Sequence, residues 1–205
     1  MEKLNNLSLA IQAGGFSKRM GQDKALIEFN NQPLIAYIAS RGRSLTDDLF
    51  VTTNQIELYR FLNLPLYPDQ LPFRGTLVGM HTALSSSTRP FVAVIGCDMP
   101  FFSPHLLAYA AQLLEESGMD AVVPRSREGL EPLHAVYRRE ICLAAVKKSL
   151  AMDVLSLIGW LSLLKVLEIT EDQFKFYDPN SRAFININTP QEFQQAENLL
   201  KSDIP

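Results

Sequence analysis

Residues 91–97, Phe91-Val92-Ala93-Val94-Ile95-Gly96-Cys97, run without a charged or amide side chain and stop at Asp98. A strand with one wet face alternates apolar and polar residues, whereas an unbroken apolar strand must be covered on both faces. Covering both faces takes helices above and below the sheet. The chain is thereby restricted to α/β architectures with a mostly parallel, sandwiched sheet.

The remaining patterns fit that frame. Leu7 to Ala13, Leu49 to Thr53, Leu64 to Tyr67, Ala121 to Pro124, Leu133 to Tyr137 and Lys165 to Ile169 read as strands. Phe184-Ile185-Asn186-Ile187-Asn188 alternates with period two, as a half-buried strand does. Between the strands lie helical patterns: Pro33 to Leu45, a helix beginning near Thr76, and a stripe of Leu106, Leu107, Ala110, Leu113 and Leu114 behind a Ser103 cap and Pro104. Arg139 to Met152 and Val154 to Leu164 read as helices, and a last helix opens on the capping box Thr189-Pro190-Gln191-Glu192. With 205 residues, no internal repeat and no linker-like stretch, a single three-layer α/β/α domain over 1–205 is expected.

Charge and cysteine usage narrow the chemistry. A formal net charge of -3 does not give the broad basic footprint of a nucleic-acid binder, so any phosphate chemistry is expected to be local. Cys97 and Cys142 lack metal-type spacing, and the three histidines form no H-E-x-x-H cluster, which argues against zinc. Met1-Glu2-Lys3-Leu4-Asn5-Asn6 has no apolar core of the signal-peptide kind, and Val154 to Leu164 falls short of the roughly 20 residues that cross a bilayer. No membrane association and a cytoplasmic location are expected.

Open parallel sheets bind ligands beyond the carboxyl ends of their strands, where strand order reverses. Three groups stand at such ends here: the loop after Leu7 to Ala13, Asp69 and Asp98. The loop, Gln12-Ala13-Gly14-Gly15-Phe16-Ser17-Lys18-Arg19-Met20-Gly21-Gln22-Asp23-Lys24, combines glycines with Lys18, Arg19 and Lys24, a composition suited to a polyphosphate. It matches neither the Walker A pattern nor G-x-G-x-x-G. A plain strand-to-helix turn with solvated charges is the alternative. Asp98, facing the same crevice, would hold Mg²⁺ together with substrate phosphates, or else serve as a turn aspartate before Pro100. Asp69 in Tyr67-Pro68-Asp69-Gln70 supports function and ordinary turn chemistry equally. Asn186 and Asn188, two apart on the expected strand, would present both amides to one side, where donor and acceptor together suit a flat heterocycle; a turn or edge role is the other reading. Cys97 reads as a small buried hydrophobe before a redox group, and His134 as either a substrate contact or a histidine hydrogen-bonded at a sheet edge.

Taken together, these residues resemble a known family. QAGGFSKRMGQDK is similar to the signature L-A-G-G-x-x-x-R-M-G-x-D-K of the molybdenum cofactor guanylyltransferases, nucleotidyltransferases of Rossmann-like fold. YPDQLPFRGTLVGMHTAL, VIGCDMPFF, EPLHAVY and FININTPQEF resemble further family segments in the same order, so the similarity spans nearly the whole chain. The resemblance implies transfer of GMP from Mg-GTP to molybdopterin with release of pyrophosphate. In that reading Gln12, Ala13 and Gly14 lie against the nucleotide, Gly15 and Arg19 hold the phosphates, and Lys24 neutralises them. Asp69 sits in the nucleotide crevice, Asp98 binds Mg²⁺, and Asn186 and Asn188 lie on the pterin side. The N-terminal half would bind nucleotide and the C-terminal part the acceptor, with transient contacts to other proteins of the cofactor pathway.

The sequence departs from the pattern at Gln12, where leucine is common, at Thr52 in place of asparagine, and at Thr76 and Val78 in place of proline and alanine. These changes bear on base choice. CMP transfer to molybdopterin, nucleotidyl transfer to another small phosphorylated acceptor, and a binding or delivery module without catalysis are the alternatives.

Overall fold

The computed structural model describes residues 2–14, 23–72 and 75–202. Its elements are β1 (Leu7–Gln12), a ribbon of β2 (Glu28–Phe29) and β3 (Gln32–Pro33), α1 (Leu34–Gly42), β4 (Asp48–Thr52), α2 (Ile56–Tyr59) and β5 (Leu66–Tyr67). There follow α3 (Thr76–Ser86), β6 (Phe91–Gly96), α4 (Pro104–Glu116), β7 (Ala121–Ser126), β8 (Gly129–Leu130), β9 (His134–Arg138) and α5 (Arg139–Ala151). The chain closes with α6 (Leu157–Leu161), β10 (Val166–Ile169), α7 (Glu171–Phe174) and α8 (Pro190–Ser202).

The main sheet runs β10-β7-β9-β6-β1-β4-β5, with β8 paired to β7. Contacts of β1 with β4 and β6, of β4 with β5 and of β10 with β7 are parallel. Strand β9 lies antiparallel between β6 and β7, so the sheet is mixed. All six residues of β6 are buried, as the unbroken apolar run requires. Successive residues of β1 and β6 serve opposite layers. Leu7, Leu9, Ile11, Phe91, Ala93 and Ile95 pack in the core that includes α1 and α4. Ala10, Val92 and Val94 pack in the core formed with α3, α5 and α6.

Helix boundaries follow local chemistry. The Ser103 side chain accepts a hydrogen bond from the Leu106 amide and Pro104 occupies the first turn of α4. At α8, the Glu192 amide donates to Thr189 Oγ1 while Glu192 Oε2 accepts from the Thr189 amide, closing the expected box.

Several expectations need correction. Phe184 to Asn188 is not a strand: the Ile187 amide donates to the Asp98 carbonyl and the Ile185 amide to Arg182, so no ladder forms and the segment is a loop. Its alternation reflects burial of Ile187 alone in that stretch. Pro33 precedes α1 as its cap, with ψ 138°, rather than entering the helix. The segment 154–164 holds only the short α6, because Ser156 caps it after an extended entry. Among the described residues, no helix is long and apolar enough to cross a membrane.

Candidate active site

From β1 the chain steps outward to β4 and β5, then returns to β6 on the other flank of β1. Strand order therefore reverses between β1 and β6, and the crevice opens at their carboxyl ends. Gln12 and Gly96 are register partners there, and the Cys97 amide donates to the Gln12 carbonyl at 3.0 Å. Two residues on, Asp98 projects its carboxylate back over Gly96. A Cβ at Gly96 would collide with Asp98 Oδ1, so a side chain there would force the carboxylate to move.

Lys24 reaches into the same crevice. Its Nζ donates to Asp98 Oδ2 at 2.5 Å and to Asn188 Oδ1 at 3.0 Å. The two charged side chains are each 17% exposed, sheltered enough to interact strongly yet open on one side to a ligand. Three segments far apart in sequence are thus joined at one ammonium group.

Lys24 owes its placement to Asp23 and Tyr59. Asp23 Oδ1 accepts from the Ala25 amide and starts a single 3-10 turn over Lys24–Leu26. Tyr59 Oη donates to Asp23 Oδ2 at 2.6 Å. Burial and that bond to Asp23 push the Tyr59 phenol upward, so it stays a donor. Tyr59→Phe is expected to cost roughly 1.5–3 kcal/mol, the worth of a hydrogen bond to a charged group. Denaturant unfolding of the two proteins measures it; equal midpoints would show that the bond holds nothing.

Asn188 is fixed from the other direction. Glu192 Oε2 accepts from the Asn188 amide at 2.7 Å, so the first turn of α8 holds the asparagine toward Lys24. That bond comes first in holding the Glu192 carboxyl below its usual range.

The other expected residues divide. Ala13 is buried and its amide donates to the Thr52 carbonyl. Gly14 is exposed, with open space where a side chain would stand and no left-handed backbone, so its use is room rather than conformational freedom. Gly15 and Arg19 lie outside the described residues. Asp69 is not joined to the Lys24 cluster: its Oδ2 accepts from Asn54 Nδ2 at 2.7 Å and its Oδ1 from Thr82 Oγ1 at 3.1 Å. The carboxylate ties the loops after β4 and β5 to α3. Asn186 turns its Nδ2 to the Phe184 carbonyl at 3.1 Å, so the two asparagine amides do not act as a pair.

Cys97 is buried, and burial pushes its thiol well up, away from thiolate chemistry. His134 is fully buried on β9, inside the sheet and not at its edge, and its Nε2 accepts from the Ser103 amide. Burial lowers its pKa to about 4. The unfolded chain, with an ordinary histidine near 6.5, then binds more protons than the folded one between these values. This contribution to stability is full above about pH 6.5 and is lost as pH falls toward 4, amounting to roughly 3 kcal/mol. Thermal melts over that window should show the slope in the wild type and a shallower one in His134→Gln.

Asp23, Tyr59, Asn54, Thr82 and Glu192 take part in positioning; Tyr59, Asn54 and Thr82 carry no motif signal of their own, and the capping box that contains Glu192 marks a helix start and not a site. Asp23 alone was within reach, since it immediately precedes the loop lysine. No group of three or more histidine, cysteine, aspartate or glutamate side chains suited to a metal is present among the described residues. One carboxylate beside an amide oxygen still fits a hard cation that takes most ligands from phosphates and water.

The family model of the MobA-like NTP transferase domain matches residues 9–159. A molybdenum cofactor guanylyltransferase of Syntrophotalea carbinolica is 32% identical over 188 residues, covering 92% of this chain and 89% of its own. A probable molybdenum cofactor guanylyltransferase of Pelotomaculum thermopropionicum is 34% identical over 187 residues, covering 91% and 89%. Among solved structures, molybdopterin-guanine dinucleotide biosynthesis protein A from Archaeoglobus fulgidus superimposes with TM-score 0.84 at 22% identity, over 95% of this chain and 99% of that one. A 4-diphosphocytidyl-2C-methyl-D-erythritol synthase from Anaerococcus prevotii gives 0.73 at 12% identity, over 95% and 96%. At such identities the structural likeness speaks for the fold.

Proposed function

Because the chain belongs to the MobA-like NTP transferase family, we propose that it transfers GMP from GTP to molybdopterin, releasing pyrophosphate and forming molybdopterin guanine dinucleotide. The observation that carries the reading is the Lys24 ammonium held between Asp98 and Asn188 at the mouth of the β1–β6 crevice. A phosphate oxygen of molybdopterin attacks the α-phosphorus of GTP. The bond from that phosphorus to the oxygen bridging the β-phosphate breaks, and pyrophosphate departs with the electron pair. Since the acceptor phosphate is already an anion, no side chain has to remove a proton. Alignment and charge stabilisation suffice.

Lys24 is the group for the triphosphate: already poised in the crevice, it neutralises charge that grows on the leaving phosphates. Asp98 is assigned to Mg²⁺, which when bound supplies electrostatic activation of the phosphates. Gln12, Ala13 and Gly14 form the nucleotide wall, and Gly15 and Arg19 are assigned to the phosphates. Asp69 is assigned to the nucleotide crevice, where Asn54 and Thr82 hold its carboxylate. Asn188, with Asn186 behind it, faces the acceptor side, so the N-terminal half serves the nucleotide and the C-terminal part the pterin.

Pyrophosphate release, measured with each nucleoside triphosphate with and without molybdopterin and Mg²⁺, tests this. Release is expected with GTP when acceptor and metal are both present. Turnover with CTP but not GTP would sink the assignment, and GTP binding without any release would leave only a carrier.

A further inference from the structure

The carboxylate assigned to a metal ion is already paired with a cation of the protein's own. Lys24 Nζ donates to Asp98 Oδ2 at 2.5 Å and to Asn188 Oδ1 at 3.0 Å, so the ammonium takes up one carboxylate oxygen and one amide oxygen, both donors of the kind a hard cation uses. The two charged side chains are sheltered, each 17% exposed. In such surroundings the ammonium cancels the charge that would attract a free divalent ion, and its own charge repels one. The other acids joined to this cluster do not make up the loss, because Asp23 is engaged by the Ala25 amide and Tyr59 Oη, and Glu192 by the Asn188 and Thr189 amides. Among the described residues no three histidine, cysteine, aspartate or glutamate side chains gather to hold a metal. A metal arriving alone would have to displace Lys24 from a single carboxylate.

A metal arriving with a triphosphate meets a different balance. The phosphates offer the ammonium several anionic oxygens, and a lysine, with its flexible stem and rotatable donors, can turn from Asp98 to them. The carboxylate is then released to the metal that the phosphates bring. Resting on the reading above that assigns GTP to the crevice and Mg²⁺ to Asp98, we infer that Lys24 excludes free divalent cations from Asp98 and admits the metal only with the nucleotide. The chain thereby selects the metal–nucleotide complex over either component alone. Lys24 has two partners in turn, Asp98 before the nucleotide enters and the phosphates after.

Equilibrium dialysis against Mn²⁺, read by electron paramagnetic resonance, tests this in the wild type, Lys24→Met, Lys24→Arg and the double variant Lys24→Met with Asp98→Asn, each with and without GTP. Without nucleotide, Lys24→Met is expected to hold Mn²⁺ more tightly than the wild type by about tenfold or more, the worth of one opposing charge at this range. Lys24→Arg is expected to stay with the wild type, since it keeps the charge, and the double variant to lose the gain. GTP should raise the Mn²⁺ affinity of the wild type by more than that of Lys24→Met. Equal affinities in the nucleotide-free wild type and Lys24→Met would overturn the inference, as would a gain that survives Asp98→Asn and so places the metal elsewhere. Should Lys24→Met not fold, the wild type decides: uptake of Mn²⁺ as tight without GTP as with it would overturn the inference, and uptake only with GTP would uphold it. Calorimetry of GTP alone is the separate check on the underlying reading. Its failure to bind would sink that reading, while the nucleotide-free comparison would still decide whether Lys24 keeps the metal out.

Discussion

Asp98→Asn slows GTP-dependent pyrophosphate release by about 10³-fold while the circular dichroism spectrum stays that of the folded protein. The size follows from what is lost. In a sheltered crevice a fixed charge that acts on the reacting phosphates is worth far more than in water, and single preorganised groups of this kind are worth on the order of 10²–10³ in rate. The substitution keeps the shape of the side chain over Gly96 and removes only its charge. The fold should tolerate it, because Lys24 keeps Asn188 Oδ1 and one open side through which water can solvate the ammonium. A direct probe of the carboxylate's role is Mn²⁺ binding in the presence of GTP, followed by electron paramagnetic resonance. Binding as tight in Asp98→Asn as in the wild type would remove the metal assignment even if turnover fell.

Lys24→Met is the second large effect. Methionine replaces the stem of lysine at similar length but provides no ammonium. Turnover is expected to fall on the order of 10²-fold, with the Michaelis constant for GTP also raised, since in the proposed site the charge would meet the triphosphate both before and during the reaction. Removing the cation leaves the Asp98 carboxylate without its partner, at a stability cost of about 1–3 kcal/mol for a partly sheltered pair. Stopped-flow release of pyrophosphate together with chemical denaturation separates the two losses. A variant that loses its folded spectrum would show Lys24 to be a structural cation. Full turnover would refute its place in the phosphate site. Combined with Asp98→Asn, the losses should not add, because the two side chains already share one hydrogen bond.

How far the sequence revealed this arrangement depended on the range of the interactions involved. The central strand, the Ser103-Pro104 start of α4 and the Thr189-to-Glu192 box were legible because each is encoded within a few residues. Lys24 and Asp98 could be placed in one crevice from their positions after strands. That Asn188 completes the contact and Tyr59 braces Asp23 could not be seen, because those links span 164 and 36 residues and no periodicity reports them. Phe184 to Asn188 misled for a related reason. An extended segment alternates inward and outward whether or not a neighbouring strand is available, and here the neighbour is a single carbonyl, that of Asp98. Asp69 was legible as a strand-end aspartate open to either a functional or a turn role, but not as the acceptor for Asn54 and Thr82, whose identities carry no signature.

Asp98 is held at both of its ends. Its carboxylate meets Lys24, on the side proposed for the nucleotide, while its carbonyl accepts from the Ile187 amide at 2.9 Å, on the side proposed for the acceptor. The separation between the two halves of the crevice is thereby set by the covalent length of one residue. A ruler of bonded atoms neither stretches nor drifts with temperature as two independently packed surfaces would. Exchanging the side chain removes one grip and leaves the other, so the chemistry of this site can be altered without changing its span.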